Sequence, residues 1–331
     1  MNMRITTLIA GIMTACILAA CGGGEPDKIQ HQAGVKQEFV NIGSGVELEL
    51  LDFGGQGEVV LFLAGAGNSA HIFAEFAPRF TDKFHVLALT RRGYGASSKP
   101  LNGYDNRTLS DDIRLVLDAK GIARAHLLGH SIAGDEMTRF AENFPSRVGR
   151  LVYLDAAYDR TAVSALFDGV PIPPHPQPNI AELSSLHNYG QYISKLRGIS
   201  FPQAELKATT AFNSSGVISG SNTPDAIGEL HLAGVETPNY AGVKAPALGI
   251  YAVPVKASDV IPWLSSSSPD WASAQTFLQE ALIPFYNEQR ALFKTQLNGS
   301  IVVEIVGANH YIFISHPDQV EREIKTFLGA K

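Results

Sequence analysis

Cysteine is almost missing from this chain: its 331 residues hold only Cys16 and Cys21, so nothing from residue 22 onward can form a disulfide or a thiolate metal site. A domain of about 290 residues must then hold itself together by burial alone, which a chain of that size can do. Charge is sparse as well, at 18% of residues with a net charge of −6, and the one basic cluster is the pair Arg91-Arg92. That leaves no electrostatic footprint for a nucleic acid. No HExxH motif occurs, so no metal is expected, and no internal repeat is visible. The single long apolar run, Ile5 to Ala20, is too short and too abruptly ended by Gly22-Gly23-Gly24 to make a comfortable membrane span.

What that run does fit is export. Met1-Asn2-Met3-Arg4 supplies a short basic start, Ile5 to Ala20 the apolar region, and Cys21-Gly22-Gly23-Gly24 a small-residue cleavage zone. Leu18-Ala19-Ala20-Cys21 resembles the lipobox of bacterial lipoproteins. The resemblance implies a signal peptide over 1–21, a lipid on Cys21, attachment to the membrane through that lipid, and residence in the bacterial envelope on the periplasmic side of the outer membrane. Residues 22–37, rich in Gly, Gln and charge, read as a flexible tether.

Further along, Phe39 to Ile42 and Val46 to Phe53 flank Gly43-Ser44-Gly45 and predict a hairpin. Apolar runs at Val59 to Leu63, His85 to Leu89, Ala125 to Leu128, Leu151 to Leu154, Leu248 to Ala252 and Ile301 to Val306 then alternate with helical periodicity. The helices fall at Ala70 to Phe80, Leu109 to Lys120, Ile132 to Asn143, Ala272 to Leu297 with a break at Pro284, and Asp318 to Leu328. Strands alternating with helices predict an α/β fold with a doubly wound, mostly parallel sheet, whose ligands bind at the carboxyl ends of the strands. The alternation fails between Asp159 and Lys244. Leu183, Leu186, Tyr189, Tyr192, Ile193 and Leu196 recur there at helical spacing, so residues 159–244 read as a largely helical cap inserted between core segments 38–158 and 245–331.

The most informative stretch is Leu127-Leu128-Gly129-His130-Ser131-Ile132-Ala133-Gly134, where an apolar strand runs straight into a serine and then a helix. A serine at so sharp a turn presents its hydroxyl to a cleft, and small residues two before and two after it let strand and helix approach. Gly129 and Ala133 meet that need, the second with alanine where glycine is usual. Taken alone, the pattern fits a helix-capping serine as well as a nucleophile.

Three further segments accompany it: Leu63-Ala64-Gly65-Ala66-Gly67-Asn68-Ser69, Leu87 to Ser97 with Arg91-Arg92-Gly93-Tyr94-Gly95, and Gly307-Ala308-Asn309-His310. In this order, the four resemble the α/β-hydrolase superfamily over nearly everything after Phe39. The resemblance implies a serine hydrolase acting on a small-molecule ester or related acyl compound without a cofactor. Ser131 would be the nucleophile and His310 its base, since a hydroxyl needs a base to attack at neutral pH. The Ala66 and Ile132 amides would form the oxyanion hole. The orienting acid usually follows the penultimate strand, but Val253-Pro254-Val255 contains none. Asp155, directly after the Leu151 to Leu154 strand, matches a minority pattern and is favoured because a strand end depends less on loop shape. Asp259 is the alternative and Asp159 a weaker third. The other histidines, among them His71, His126, His130 and His316, are expected to be packing or surface residues, His130 pointing away from the site. The dehalogenase and epoxide-hydrolase branches use an aspartate nucleophile, which a serine at 131 argues against.

A rival reading comes from Gly65-Ala66-Gly67-Asn68-Ser69-Ala70, which fits the dinucleotide fingerprint, with Arg91-Arg92 placed to meet a 2′-phosphate. An NADP-binding oxidoreductase is thus the second enzyme class. A non-catalytic binding protein on a hydrolase scaffold is the third possibility. Oligomeric state is not legible.

Overall fold

Short β-branched and leucine-rich runs build an eight-stranded sheet in the computed structural model, which describes residues 34–166 and 173–329. The export signal, Cys21 and residues 22–33 of the tether lie outside the described residues. The strands are β1 (Lys36–Asn41), β2 (Glu47–Gly54), β3 (Val59–Leu63), β4 (His85–Leu89), β5 (Ala125–His130), β6 (Val148–Leu154), β9 (Ala247–Val253) and β10 (Ile301–Val306). Two more, β7 (Thr210–Phe212) and β8 (Ile218–Ser221), form a separate antiparallel pair. The sheet order is β1-β2-β4-β3-β5-β6-β9-β10. β1 and β2 are antiparallel to their neighbours, and all pairs from β4 to β10 are parallel. Parallel strands covered on both faces read as unbroken apolar runs. Every residue of β5 is accordingly buried.

The pleat divides those runs between two cores. Leu61 and Leu63 of β3 face a cluster with Leu127, Met137, Phe140, Tyr153 and Phe293. Val60 and Phe62 face the other side, where Phe62, Phe73, Phe76, Phe80 and Phe313 pack ring against ring at centroid distances of 4.9–6.1 Å.

Helices α1 (Asn106–Ala119) and α2 (Ala133–Asn143) follow the expected positions, α1 starting three residues early because the Asp105 side chain caps it by accepting from the Thr108 N–H at 3.0 Å. Two expectations fail. Ala70 to Phe80 is not one helix but two 3-10 turns, Ala70–Phe73 and Ala77–Phe80, because Pro78 has no N–H to continue the ladder. Conversely, Pro284 does not break the later helix. A π-turn over Leu278–Leu282 widens the backbone just ahead of it, joining Trp271–Phe277 to Ile283–Gln296.

Between β6 and β9 the chain forms α3 (Leu186–Arg197), α4 (Gln203–Thr209), the β7–β8 pair and α5 (Asp225–Ala233). Helix α3 is capped by Ser185, whose Oγ accepts from the Asn188 N–H, and is stopped by Gly198 at φ +70°. Helix α5 is pinned to the core by His231, buried at 1% exposure, whose Nδ1 shares a hydrogen bond with the Tyr94 hydroxyl at 2.9 Å. Burial, reinforced by the charges of Arg91 and Arg160, holds His231 well below its ordinary pKa near 6.5. Its folded-state pKa is thus below its unfolded one, so its stabilisation is full above pH 6.5 and is lost as pH falls. Substituting His231→Gln should cost stability at pH 8, and the gap to wild type should stay constant down to about pH 6.5 and narrow by about 1.4 kcal/mol per pH unit below pH 6.5. Urea denaturation of both proteins at pH 8 and pH 5.5 checks this; a pH-independent gap would show that His231 is not held neutral.

Candidate active site

Sheet register sets the first two residues. His130 pairs with Leu154 across β5 and β6, so the next residues, Ser131 and Asp155, emerge side by side at the carboxyl edge. The Ser131 N–H donates to the Leu154 carbonyl at 3.2 Å, and the Asp155 N–H to the Ile250 carbonyl at 2.7 Å. Both residues adopt left-handed backbone, φ 55° for Ser131 and 48° for Asp155, a conformation that among the described non-glycine residues is shared only by Ser44. Such strain costs of order 1–3 kcal/mol per residue and concentrates at functional sites. The turn at Ser131 needs close approach: a Cβ added to Gly129 would lie 3.3 Å from Ala133, and one added to Gly65 would lie 2.8 Å from the His130 ring and 3.1 Å from Ser131 Cβ.

His310 reaches the same place from the far side. It follows β10 through Gly307, whose N–H bonds the Val253 carbonyl, and its Nδ1 donates to Asp155 Oδ2 at 2.6 Å. Asp155 Oδ1 accepts from the Tyr158 hydroxyl at 2.5 Å and from the Ala252 N–H at 3.1 Å. A buried carboxylate with three donors is fixed in position, and its bond to Nδ1–H dictates the tautomer that leaves His310 Nε2 without a proton. The Ser131 hydroxyl makes no hydrogen bond to His310 in this structure, although both line one cavity. Such bonds commonly close only when substrate is bound.

Ala66, in the turn after β3, lines the same cavity as Ser131, and Ile132, at the head of α2, directly follows it. Among the described residues neither N–H is engaged by another group. Two free amides beside a serine are what a developing oxyanion requires.

The other carboxylate candidates are employed elsewhere. Asp259 lines the cavity, but its Oδ2 accepts from the Val255 and Lys256 amides at 2.8 and 3.1 Å, capping its own loop. Asp159 Oδ1 accepts from the Thr161 amide and hydroxyl. His130 does not point away, as strand alternation suggests. Its ring lies against His310 at 4.6 Å between centroids, and its Nε2 donates to the His310 carbonyl at 3.2 Å. Burial, then the neighbouring His310, hold it well below its ordinary pKa, so it is neutral.

Nor are Arg91 and Arg92 available to a phosphate. Arg91 makes a buried two-pronged pair with Glu136 of α2 at 2.7 and 2.8 Å and also holds the Ala64 carbonyl, while Arg92 pairs in the same way with Asp112 of α1. Arg91 thus ties the loop after β3 to the helix after β5, and Arg92 ties the loop after β4 to α1.

A cavity of about 290 Å³ opens onto Ser131 and His310. Its walls are mainly apolar: Val163, Leu196, Ile261, Pro262, Trp263 and Tyr286, with Arg197 from the end of α3. Of the segment 257–264 only Asp259 was a candidate from the sequence; that Ile261, Pro262 and Trp263 supply part of this wall was not legible. Nor were Tyr158, whose bond to Asp155 needs the turn after β6, and Glu205, whose partners Asn68 and Ser69 are distant in sequence.

The profile of the family described as the alpha/beta hydrolase fold matches residues 58–226, half of the chain and the part that carries Ala66, Ser131 and Asp155. The chain belongs to the α/β-hydrolase family. Within that family it is 35% identical over 107 residues to a fluoroacetate dehalogenase from Burkholderia sp, covering 31% of this chain and 35% of that protein. It is 31% identical over 101 residues to a 2-(acetamidomethylene)succinate hydrolase from Mesorhizobium japonicum, covering 30% and 36%. The chain thus spans little more than a third of these relatives' length. Among solved structures, an E-2-(acetamidomethylene)succinate hydrolase superposes with a TM-score of 0.65 at 19% identity, over 89% of this chain and all of that one. A membrane phospholipase A, described as a bacterial virulence factor, superposes at 0.57 and 18% identity over 90% and 86%. At such identities the likeness is one of fold: an α/β-hydrolase sheet.

Proposed function

We propose that this α/β hydrolase is a serine hydrolase that cleaves a carboxylic ester or related acyl bond through an acyl-enzyme. The observation that carries the reading is the Asp155–His310 hydrogen bond, delivered from two strand ends to the cavity that holds the strained Ser131. In this mechanism Ser131 Oγ attacks the acyl carbon and its proton passes to His310 Nε2. Asp155 stabilises the imidazolium, and the Ala66 and Ile132 amides receive the negative oxygen. Collapse expels the alcohol, which takes the proton from His310. Water then attacks the acyl group with His310 again as base, restoring the serine. A serine at 131 distinguishes this chemistry from the aspartate nucleophile of dehalogenase relatives.

The test is active-site labelling of the full-length protein by a fluorophosphonate probe beside p-nitrophenyl esters of increasing acyl length. Labelling that is absent from Ser131→Ala and His310→Ala, with turnover favouring acyl groups that fit about 290 Å³, supports the reading. A folded wild type that neither labels nor hydrolyses any ester would refute it and favour a binding role.

Export with lipidation at Cys21 is part of the same proposal and rests on Leu18-Ala19-Ala20-Cys21. The variant Cys21→Ala is expected to move the protein from the membrane to the soluble fraction of the cells that make it; unchanged partitioning would remove the anchor.

A further inference from the structure

The segment between β6 and β9 does more than roof the cavity, because one of its side chains is built into the loop that carries the Ala66 amide. Glu205 of α4 is fully buried. Its Oε1 accepts from Asn68 Nδ2 at 2.9 Å and from the Ser69 amide at 3.1 Å, and its Oε2 accepts from the Ser69 hydroxyl at 2.5 Å. Asn68 closes the turn over Ala66 by donating its own N–H to the Gly65 carbonyl at 3.3 Å. The same Asn68 presents Oδ1 to the Tyr311 hydroxyl at 3.2 Å, and Tyr311 directly follows His310. On the other side, Asn309 donates to the Arg197 carbonyl at 2.7 Å, and Phe201 packs edge-on against Tyr311 at 4.8 Å. Burying a carboxylate is costly, and three or more donors aimed at it are needed to offset that cost. Here all of them come from the turn that holds Ala66.

We propose that Glu205 is a positioning residue that ties the Ala66 turn to the His310 loop through Asn68 and Tyr311, so that docking of this segment and assembly of the oxyanion hole are one event. The proposal rests on the serine-hydrolase reading. Its physical basis is that an oxyanion donor acts over a few tenths of an ångström; Arg91 holds the start of the turn at the Ala64 carbonyl, and it is Glu205 that fixes Asn68 and Ser69 beyond Ala66. Burial pushes the Glu205 carboxyl up to about 7 against the Ser69 and Asn68 donors; it touches no substrate and passes no proton to it, and it sets where the Ala66 N–H points.

Steady-state kinetics on a p-nitrophenyl ester and the rate of fluorophosphonate labelling, both normalised to folded protein by circular dichroism, test this on the full chain. Glu205→Ala should lower kcat and the labelling rate together by about 30-fold or more while KM changes little. Glu205→Gln should recover most of the loss, because its amide oxygen still accepts from Ser69 and Asn68 and its NH₂ can donate to the Ser69 hydroxyl. Tyr311→Phe should cost about fivefold alone and almost nothing further in the Glu205→Ala background, since the link is already cut. A folded Glu205→Ala protein with wild-type kcat, a loss confined to KM, or full additivity with Tyr311→Phe would overturn the proposal while leaving the serine-hydrolase reading intact. If Glu205→Ala does not fold, Tyr311→Phe decides, and an unchanged kcat there overturns it. A wild type that neither labels nor turns over refutes the underlying reading, and the proposal with it.

Discussion

Replacing Ser131 with alanine is expected to lower kcat for ester hydrolysis by about 10⁴- to 10⁶-fold, because loss of the nucleophile leaves only binding and oxyanion contacts to help water. The fold should survive. Ser131 makes its backbone hydrogen bonds through its N–H, to the Leu154 carbonyl, and its carbonyl, from the Gly134 N–H, and alanine keeps both; among the described residues its hydroxyl has no partner whose loss would matter. The strain at φ 55° is carried equally by alanine, so the thermal midpoint should hardly move. Glycine at the same position should be as inactive yet more stable, by about 1 kcal/mol, since it adopts the left-handed region without a Cβ penalty. Stopped-flow measurement of the acyl-enzyme burst separates this from a folding defect. A Ser131→Ala protein that kept a burst would place the nucleophile elsewhere.

The second large effect concerns the acid. Asp155→Asn is expected to reduce kcat by about 10⁴-fold, because an amide NH₂ facing His310 Nδ1 forces the proton onto Nε2, where it can no longer accept from Ser131. The Tyr158 and Ala252 donors would still find the amide oxygen, so the loss should appear in kcat rather than in stability. Asp259→Asn should change kcat by no more than about threefold, since its carboxylate caps a loop and reaches no catalytic atom. Kinetics of the two variants side by side decide between the carboxylates. Wild-type kcat in Asp155→Asn, or a collapse in Asp259→Asn, would reverse the assignment.

These contrasts show where sequence reasoning reached and where it stopped. Strand positions were legible to within a few residues, because buried parallel strands write themselves as unbroken apolar runs such as Val59–Leu63 and Ala247–Val253. Helix ends were less so: Asp105 capped α1 earlier than periodicity indicated, and the π-turn at Leu278–Leu282 absorbed a proline that local rules read as a break. His130 was misread because strand alternation says which face a side chain leaves from, not what a loop from residue 310 will bring against it.

From the sequence alone came the sheet, the serine at its sharp turn and the histidine after the last strand, each a local matter of residue type at a strand end, while the two amides came only as what the resemblance implies. Which carboxylate meets His310 was decided only in three dimensions. The β5–β6 register sets Asp155 beside Ser131, while the Val255 and Lys256 amides claim Asp259 before it can reach the imidazole. The fate of Arg91 and Arg92 was decided in the same way, by Glu136 and Asp112 on helices 45 and 20 residues away. Hydrogen bonds between such distant segments depend on how the helices and loops pack, and pairwise spacing in the chain does not encode that packing.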